Sequence, residues 1–307
     1  MAFTSWTGNK ANLAADAADE AMSRLLHENL YENSPVWMLA TNMGDVSGSG
    51  AASLQTATLT RGAAAAAAIA DENTAATVGT ITLGNFTAAV AVQEYRIDQT
   101  DLMRVLQGSG VNIPLAVSLC VDAINQRRTD LFTTTFTGLA TTKGTTGTDF
   151  DVDALWEAIY ASQIAFNSAN GGALILKPKA LGEFQASLRT EGGSAQFSPA
   201  TAAMLQMKGQ MFAGTYAGVS VFSCGSVTDD ATDYSNALVF PGAFGYVEAD
   251  LSALNGDGAV NVPSGSSVRV EIERDAAKAQ TAIIARDAVG FAEQEDLRAV
   301  EILSQVA

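Results

Sequence analysis

The sequence predicts an α+β protein, and three features carry that reading. Residues from Asn112 to about Phe136 keep helical spacing, with Leu115, Leu119, Ala123, Leu131 and Phe132 on or near one face. About the last hundred residues read instead as packed strands, of which Val268-Arg-Val-Glu-Ile-Glu-Arg-Asp alternates most cleanly. Between the two regions, a Gly- and Thr-rich stretch from Gly138 to Thr148 is the best internal boundary. At 307 residues the chain can bury a full core, as one large domain or two intimately joined ones.

Taken in order, residues 11–30 read as a helix with Leu13, Ala17, Ala21 and Leu25 on one face. Ser34-Pro35 stops it, because the residue before proline avoids the α region. Asn42 to Ala52 is Gly- and Ser-rich and is expected to be an extended, mobile connector. Residues 54–97 are strand-rich: Thr56, Thr58 and Thr60 alternate with small or apolar residues, Ile81 and Leu83 share a face, and so do Val90 and Val92. Six alanines, Ala63 to Ala68, favour a short helix between those strands. Another helix is expected from Asp98 to Leu106, broken at Gly108-Ser-Gly110. The long helix then starts with Asn112 as N-cap and Pro114 in its first turn. Beyond the linker, Asp153 caps a helix to about Phe166. A strand, Ala173-Leu-Ile-Leu, and a helix from Pro178 to Leu188 follow.

Composition narrows the function classes. Charged residues make up 16% of the chain, below the usual quarter or so, and hydrophobic residues 48%. A surface poor in charge and rich in Ala, Gly and Thr suits subunits that cover one another, and would equally suit some secreted proteins. The formal net charge is −16, from 33 acidic and 17 basic residues. Affinity for nucleic acid comes largely from neutralising phosphates, so a chain with no basic run beyond Arg127-Arg128 is a poor DNA binder. Acidity that merely keeps the protein soluble explains the charge as well.

Catalytic and metal chemistry finds little support. His27 is the only histidine, which leaves no histidine metal cluster, and in the 11–30 helix it reads as a solvated side chain. No Gly-x-Ser-x-Gly elbow and no Gly-Lys-Ser or Gly-Lys-Thr phosphate loop occurs, and Gly48-Ser-Gly50-Ala-Ala-Ser53 lacks the third glycine of a dinucleotide fingerprint. Asp149-Phe-Asp151-Val-Asp153 begins like a calcium loop. Its sixth and twelfth places are Ala154 and Tyr160 where glycine and glutamate are needed, so helix capping is the better account. Glu271 and Glu273 share a strand face but are flanked by Arg269 and Arg274, so a salt-bridged sheet face is expected rather than a glycosidase pair. Cys120 and Cys224, far apart in apolar segments, are expected to be buried thiols in a reducing cytosol. Residues 1–30 lack the apolar core of a signal peptide, and no stretch approaches the roughly twenty apolar residues of a membrane span, so a soluble chain made in the cytoplasm is expected. No catalytic residue, cofactor or metal is assigned.

From Gln210 the chain runs Gln-Met-Phe-Ala-Gly-Thr-Tyr-Ala-Gly-Val-Ser-Val-Phe-Ser-Cys, then Asn236-Ala-Leu-Val-Phe-Pro-Gly-Ala-Phe-Gly-Tyr, and later Thr281-Ala-Ile-Ile-Ala-Arg-Asp and Val300-Glu-Ile-Leu. A Gly-x-x-Ala-Gly-Val-x-Val strand pair, a Gly-Ala-Phe-Gly-Tyr turn and an Arg-Asp strand end, in this order, resemble the end of tailed-bacteriophage major capsid proteins. The resemblance extends back to about Gln55. It implies the Hong Kong 97-like capsid fold, divided as follows: residues 1–53 as an N-terminal arm, 54–97 as an extended β-hairpin loop over an adjacent subunit, and 98–148 as the first part of a peripheral domain with a long spine helix. Residues 149–265 would be the axial domain around the centre of each hexamer or pentamer, and 266–307 would return to the peripheral domain beside the spine helix. The arm would lie across a neighbouring subunit or be a frayed terminus.

The function so implied is self-assembly of hexamers and pentamers into an icosahedral shell around double-stranded DNA. The chain would be its own main partner, with scaffold, portal and decoration proteins as further ones, loose contact with packaged DNA and no membrane. It would be made in the host cytoplasm and end in the virion capsid. Candidate intersubunit contacts are Arg61, the only Lys or Arg between Arg24 and Arg96, and the Arg127-Arg128 pair, which could meet a neighbour's acids or face water. Some shells of this family weld subunits through a hairpin lysine. None of Lys10, Lys143, Lys177, Lys179, Lys208 and Lys278 lies in 54–97, so that weld does not carry over. The rival readings are an encapsulin-like nanocompartment shell, a cytosolic α+β enzyme using carboxylates, and a surface-layer or filament protein, whose terminal heptads are missing.

Overall fold

The computed structural model describes residues 36–47, 52–61, 81–101, 113–166, 172–190, 197–208, 211–251 and 267–306. A 3-10 turn, Val36–Leu39, is followed by β1 (Thr41–Asp45), β2 (Ser53–Arg61), β3 (Ile81–Ala89) and β4 (Ala91–Thr100). The long helix α1 (Ile113–Thr134) ends in a second 3-10 turn and leads to the two-residue β5 (Thr142–Lys143). Helices and strands then alternate through α2 (Val152–Phe166), β6 (Ala173–Leu176), α3 (Pro178–Thr190), β7 (Phe197–Pro199) and α4 (Ala202–Lys208). The remainder is chiefly strand: β8 (Phe212–Tyr216), β9 (Val219–Ser223), β10 (Asp233–Val239), β11 (Phe244–Glu248), β12 (Val268–Asp275), β13 (Gln280–Glu293) and β14 (Ala299–Gln305).

Seven strands form one sheet in the order β5-β14-β10-β6-β9-β8-β7. Five form another, where β1-β11-β13-β12 follow in order and β4 also pairs with β13. β2 and β3 make a separate antiparallel ribbon, in register from Ser53↔Ala89 to Arg61↔Ile81.

The central strands β6 and β10 carry unbroken apolar runs, Ala173-Leu-Ile-Leu and Ala237-Leu-Val, as strands covered on both faces do. Leu174, Leu176 and Leu238 enter a core with Leu155 and Ile159 of α2 and Phe184 and Leu188 of α3. Ala173, Ile175, Ala237 and Val239 enter the second core, which is continuous with α1 and the five-stranded sheet. There α1 turns a ladder spaced one residue in four to the sheet: Cys120, Ile124, Arg128 and Phe132, continued by Phe136 in the 3-10 turn. Phe132 meets Phe136 and Phe244 edge-on at 5.1 and 5.3 Å, the arrangement that aromatic quadrupoles favour.

Several expectations change. Leu119, assigned to the buried face of α1, is 44% exposed, and the seam lies one residue further on. The seam contains a charge, Arg128, which hides it from a search for apolar spacing. Residues 41–45 are not a loose connector but β1, parallel to β11 from Thr41↔Gly245 to Asp45↔Glu248. Val36, Trp37, Ala40 and Val46 are buried, so a boundary at residue 53 cuts off part of the core. Asp98 to Thr100 finish β4, still paired with β13 at Thr100↔Gln280, rather than opening the expected helix, whose residues 102–106 lie outside the described residues. Within the expected linker, β5 pairs with β14 at Thr142↔Glu301. α2 starts at Val152, which puts Asp153 inside its first turn rather than at the cap. Arg274-Asp275 ends β12, as expected of an Arg-Asp strand end, whereas Arg286-Asp287 lies in the middle of β13. β14 joins the seven-stranded sheet beside β10 instead of lying by α1, while β11 belongs to the five-stranded sheet, so the chain crosses between sheets on both sides of the expected boundary at 265/266. The 11–30 helix, His27 and the Ala63–Ala68 helix lie outside the described residues.

Candidate functional site

The one charge in the α1 seam organises the region around it. Arg128 is fully buried. Its Nε and Nη2 donate to the two carboxylate oxygens of Asp287, both at 2.7 Å. Nη2 also donates to Ser267 Oγ at 2.9 Å, and Nη1 lies 2.9 Å from Glu248. The guanidinium sits 4.6 Å from the centre of the Trp37 ring, a cation–π contact. Trp37 donates its indole N–H to Asn125 at 3.2 Å and meets Tyr246 edge-on at 5.6 Å. One side chain therefore ties together α1, β11, β13, the entry to β12 and the 36–39 turn. Alternation along β13 explains the geometry: Asp287 shares its face with Ile283, Ala285 and Val289, which all pack in the core under α1. Fork-to-fork pairing of this kind is strong and directional.

The three candidate arginines thus separate. Arg128 is corrected: a guanidinium with 0% exposure, engaged by two carboxylates of its own chain, cannot reach a neighbouring subunit. Arg127, the next residue round the helix, is exposed and donates to Gln93 of β4 at 2.9 Å. Arg61 ends β2, its backbone opposite Ile81, and its side chain lies outside the description. The structure does not bring the three together. The partners of Arg128 could have been sought in sequence only by asking which buried acids of the strands need a cation. Asp287, beside Arg286 in a run of Ala, Ile and Val, was that signal.

On the face of the five-stranded sheet turned away from Arg128, the expected salt-bridged surface is present. Arg286 pairs with Glu94 and with Glu271, each at 2.8 Å, and Arg269 also pairs with Glu271. Arg96 pairs with Asp98 at 2.7 Å; Arg274 alternates onto the opposite face of β12 and reaches Asp101 at 2.6 Å. The hydrogen bond that Arg286 donates to Glu94, then the nearby Glu271 charge, push the Arg286 pKa up and hold it charged. Glu271 is committed to arginines and does not oppose a second acid across a cleft.

The acids at the start of α2 line a cleft of about 670 Å³ with Glu157, Glu183 and Ser187. They are engaged locally: Ser187 donates to Asp151 at 2.7 Å, Gln305 donates to Asp149, and Glu183 accepts the Phe150 N–H at 2.9 Å. Among the described residues no cluster of His, Cys, Asp and Glu could hold a metal ion, and no helix is long and apolar enough to cross a membrane. Burial pushes the Cys120 thiol up to about 11, and burial likewise raises Cys224, so both thiols are protonated and unreactive at neutral pH.

No protein-family model matches the chain, and no curated protein matches it. Solved structures do. The capsid of Ralstonia phage GP4 superposes with a TM-score of 0.63 at 8% identity, over 88% of this chain and 87% of that one. The head of Helicobacter pylori bacteriophage KHP40 gives 0.60 at 10% identity over 90% and 91%. The SrpI encapsulin of Synechococcus elongatus PCC 7942 gives 0.59 at 13% identity over 89% and 88%. Identities this low speak to architecture, and the architecture is shared nearly end to end: the chain has the Hong Kong 97-like fold of phage capsid subunits.

Proposed function

We propose that this chain is the major capsid protein of a tailed phage. It assembles with copies of itself as hexamers and pentamers into an icosahedral shell enclosing double-stranded DNA. The observation that carries the reading is end-to-end coverage: capsid subunits match this chain over nearly nine-tenths of both partners. In this reading the protein is structural rather than enzymatic, and its location is the virion. The β2–β3 ribbon is the extended hairpin that reaches a neighbour, α1 is the spine helix, and Arg61 and Arg127 are contacts between subunits. Scaffold, portal and decoration proteins are further partners. The encapsulin match supports a second reading, a nanocompartment shell with protein cargo, on the same fold.

Charge supplies the test. With a formal charge of −16 per chain, subunits repel over a Debye length of roughly 8 Å at physiological salt. Sedimentation of the purified chain is expected to show more assembled material at moderate than at low salt. Fluorescence anisotropy is expected to show no binding of the subunit to duplex DNA, whereas a DNA-binding protein would bind at low salt and release as salt rises. Duplex binding by the subunit, or no assembled material at any salt, would contradict the proposal. Particles that form and co-purify with a protein cargo would favour the encapsulin reading.

A further inference from the structure

Where the β2–β3 ribbon meets the five-stranded sheet, two glycines have no room for a side chain. A Cβ on Gly290 of β13 would lie 2.1 Å from the Ala89 carbonyl oxygen and 2.7 Å from its carbon, backbone atoms that cannot swing aside. A Cβ on Gly245 of β11 would lie 2.6 Å from Met43 Cγ and 2.9 and 3.0 Å from the ring of Phe86. Phe86 is fully buried at this point, in a small cluster with Val46, Ala88 and Val247 that Leu54 and Val90 flank. Val90 N donates to Ala52 O at 2.8 Å and closes the foot of the ribbon. Immediately afterwards β4 is hydrogen-bonded to β13 from Ala91↔Val289 onwards.

Beyond this foot, among the described residues, β2 and β3 pair with each other and with no other strand. A two-stranded ribbon is marginal alone in water, so its direction must be imposed where it is anchored. Beyond Thr56↔Phe86 five residue pairs remain, to Arg61↔Ile81; at about 3.3 Å each they extend roughly 17 Å, and a tilt of about 10° at Phe86 moves the far end by about 3 Å.

We propose that Phe86, seated against Gly245, and the Ala89 backbone, seated against Gly290, form a socket that fixes the direction in which the hairpin leaves the sheet, and that this direction sets the curvature of the shell. The second half rests on the assembly proposal above; the first half does not.

The test uses the full-length chain with Thr58→Cys and Glu273→Cys carrying spin labels, diluted into unlabelled chain, while buried Cys120 and Cys224 stay unlabelled. Pulsed dipolar spectroscopy is expected to give one narrow distance in this background. Phe86→Ala is expected to at least double its width, and Gly245→Ala to displace its mean. Phe86→Leu, which refills most of the socket, is expected to return the width towards the parent value, and Gly245→Ala decides the matter if Phe86→Ala does not fold. Parent-like means and widths in Gly245→Ala, and in Phe86→Ala where it folds, overturn the socket. Negative-stain diameters separate the two halves: mixed particle sizes from a variant with a broadened distance support the coupling, and uniform parent-sized particles from it overturn the coupling alone. No particles from the parent chain would remove the assembly reading while the distances still judge the socket.

Discussion

Replacing Asp287 by alanine takes the bidentate partner from a guanidinium that has no access to water. Two hydrogen bonds of 2.7 Å disappear, leaving Arg128 with Glu248 at 2.9 Å and the Ser267 hydroxyl. Breaking a buried pair in this way costs about 3–5 kcal/mol, because the remaining charge stays desolvated. Whole-protein stabilities are about 5–15 kcal/mol, so about a fifth or more of the total is at stake. The assay is urea unfolding followed by tryptophan fluorescence, with Trp37 directly over the guanidinium. The midpoint is expected to fall while the denaturant slope stays constant. The deficit should be the same at low and high salt, since screening acts weakly on buried pairs. A chain carrying Arg128→Met, Asp287→Leu and Glu248→Gln together is expected to recover most of the loss, because burying the charges is itself costly. A loss below about 1 kcal/mol for Asp287→Ala, the range of an exposed ion pair, would refute the knot as the organiser of this core.

Trp37→Ala is expected to cost about 3–5 kcal/mol, as for other large buried aromatics, and deletion of residues 1–52 at least as much; near-normal urea midpoints for both would return the 36–46 segment to a dispensable arm. Assembled particles boiled in denaturant and reductant are expected to release single chains on a gel, given the absence of a lysine in 54–97, and a covalent ladder would contradict this. Burial raises the Cys120 thiol from the ordinary 9.0 to about 11, so the unfolded chain releases that proton first. Stability from this group is therefore complete below about pH 9 and falls towards pH 11, by at most about 1.4 kcal/mol per unit. Urea midpoints of the parent and Cys120→Ala that run parallel from pH 8 to 11 would contradict it.

The strands with strong local signals were legible in the residues themselves. Ala173–Leu176 and Val268–Asp275 occur where the sequence predicts them, because an unbroken apolar run and a clean alternation each define one period. The salt-bridged face was half legible: Glu271 and Arg269 are neighbours on one strand, but Glu94 meets Arg286 only through pairing of segments 192 residues apart. What escaped was burial conferred by distant chain. Trp37 fell within the expected 1–53 arm because β11 and α1, which cover it, come far later in sequence. Arg128 looked like surface because a charge is buried only when its acids converge on it, and those acids sit on β11 and β13. The sheet membership of β14 was hidden for the same reason, since its partner β10 precedes it by some sixty residues and by the whole of β12 and β13.

The central claim is that this chain works by closing shells from copies of itself, and electron microscopy of the chain purified at moderate salt tests it most directly. The account predicts closed particles built from hexamers and pentamers, with the density of each subunit fitting the five- and seven-stranded sheets and the β2–β3 ribbon crossing onto a neighbour. A monodisperse monomer across concentration and salt, with the ribbon folded back on its own subunit, would contradict it.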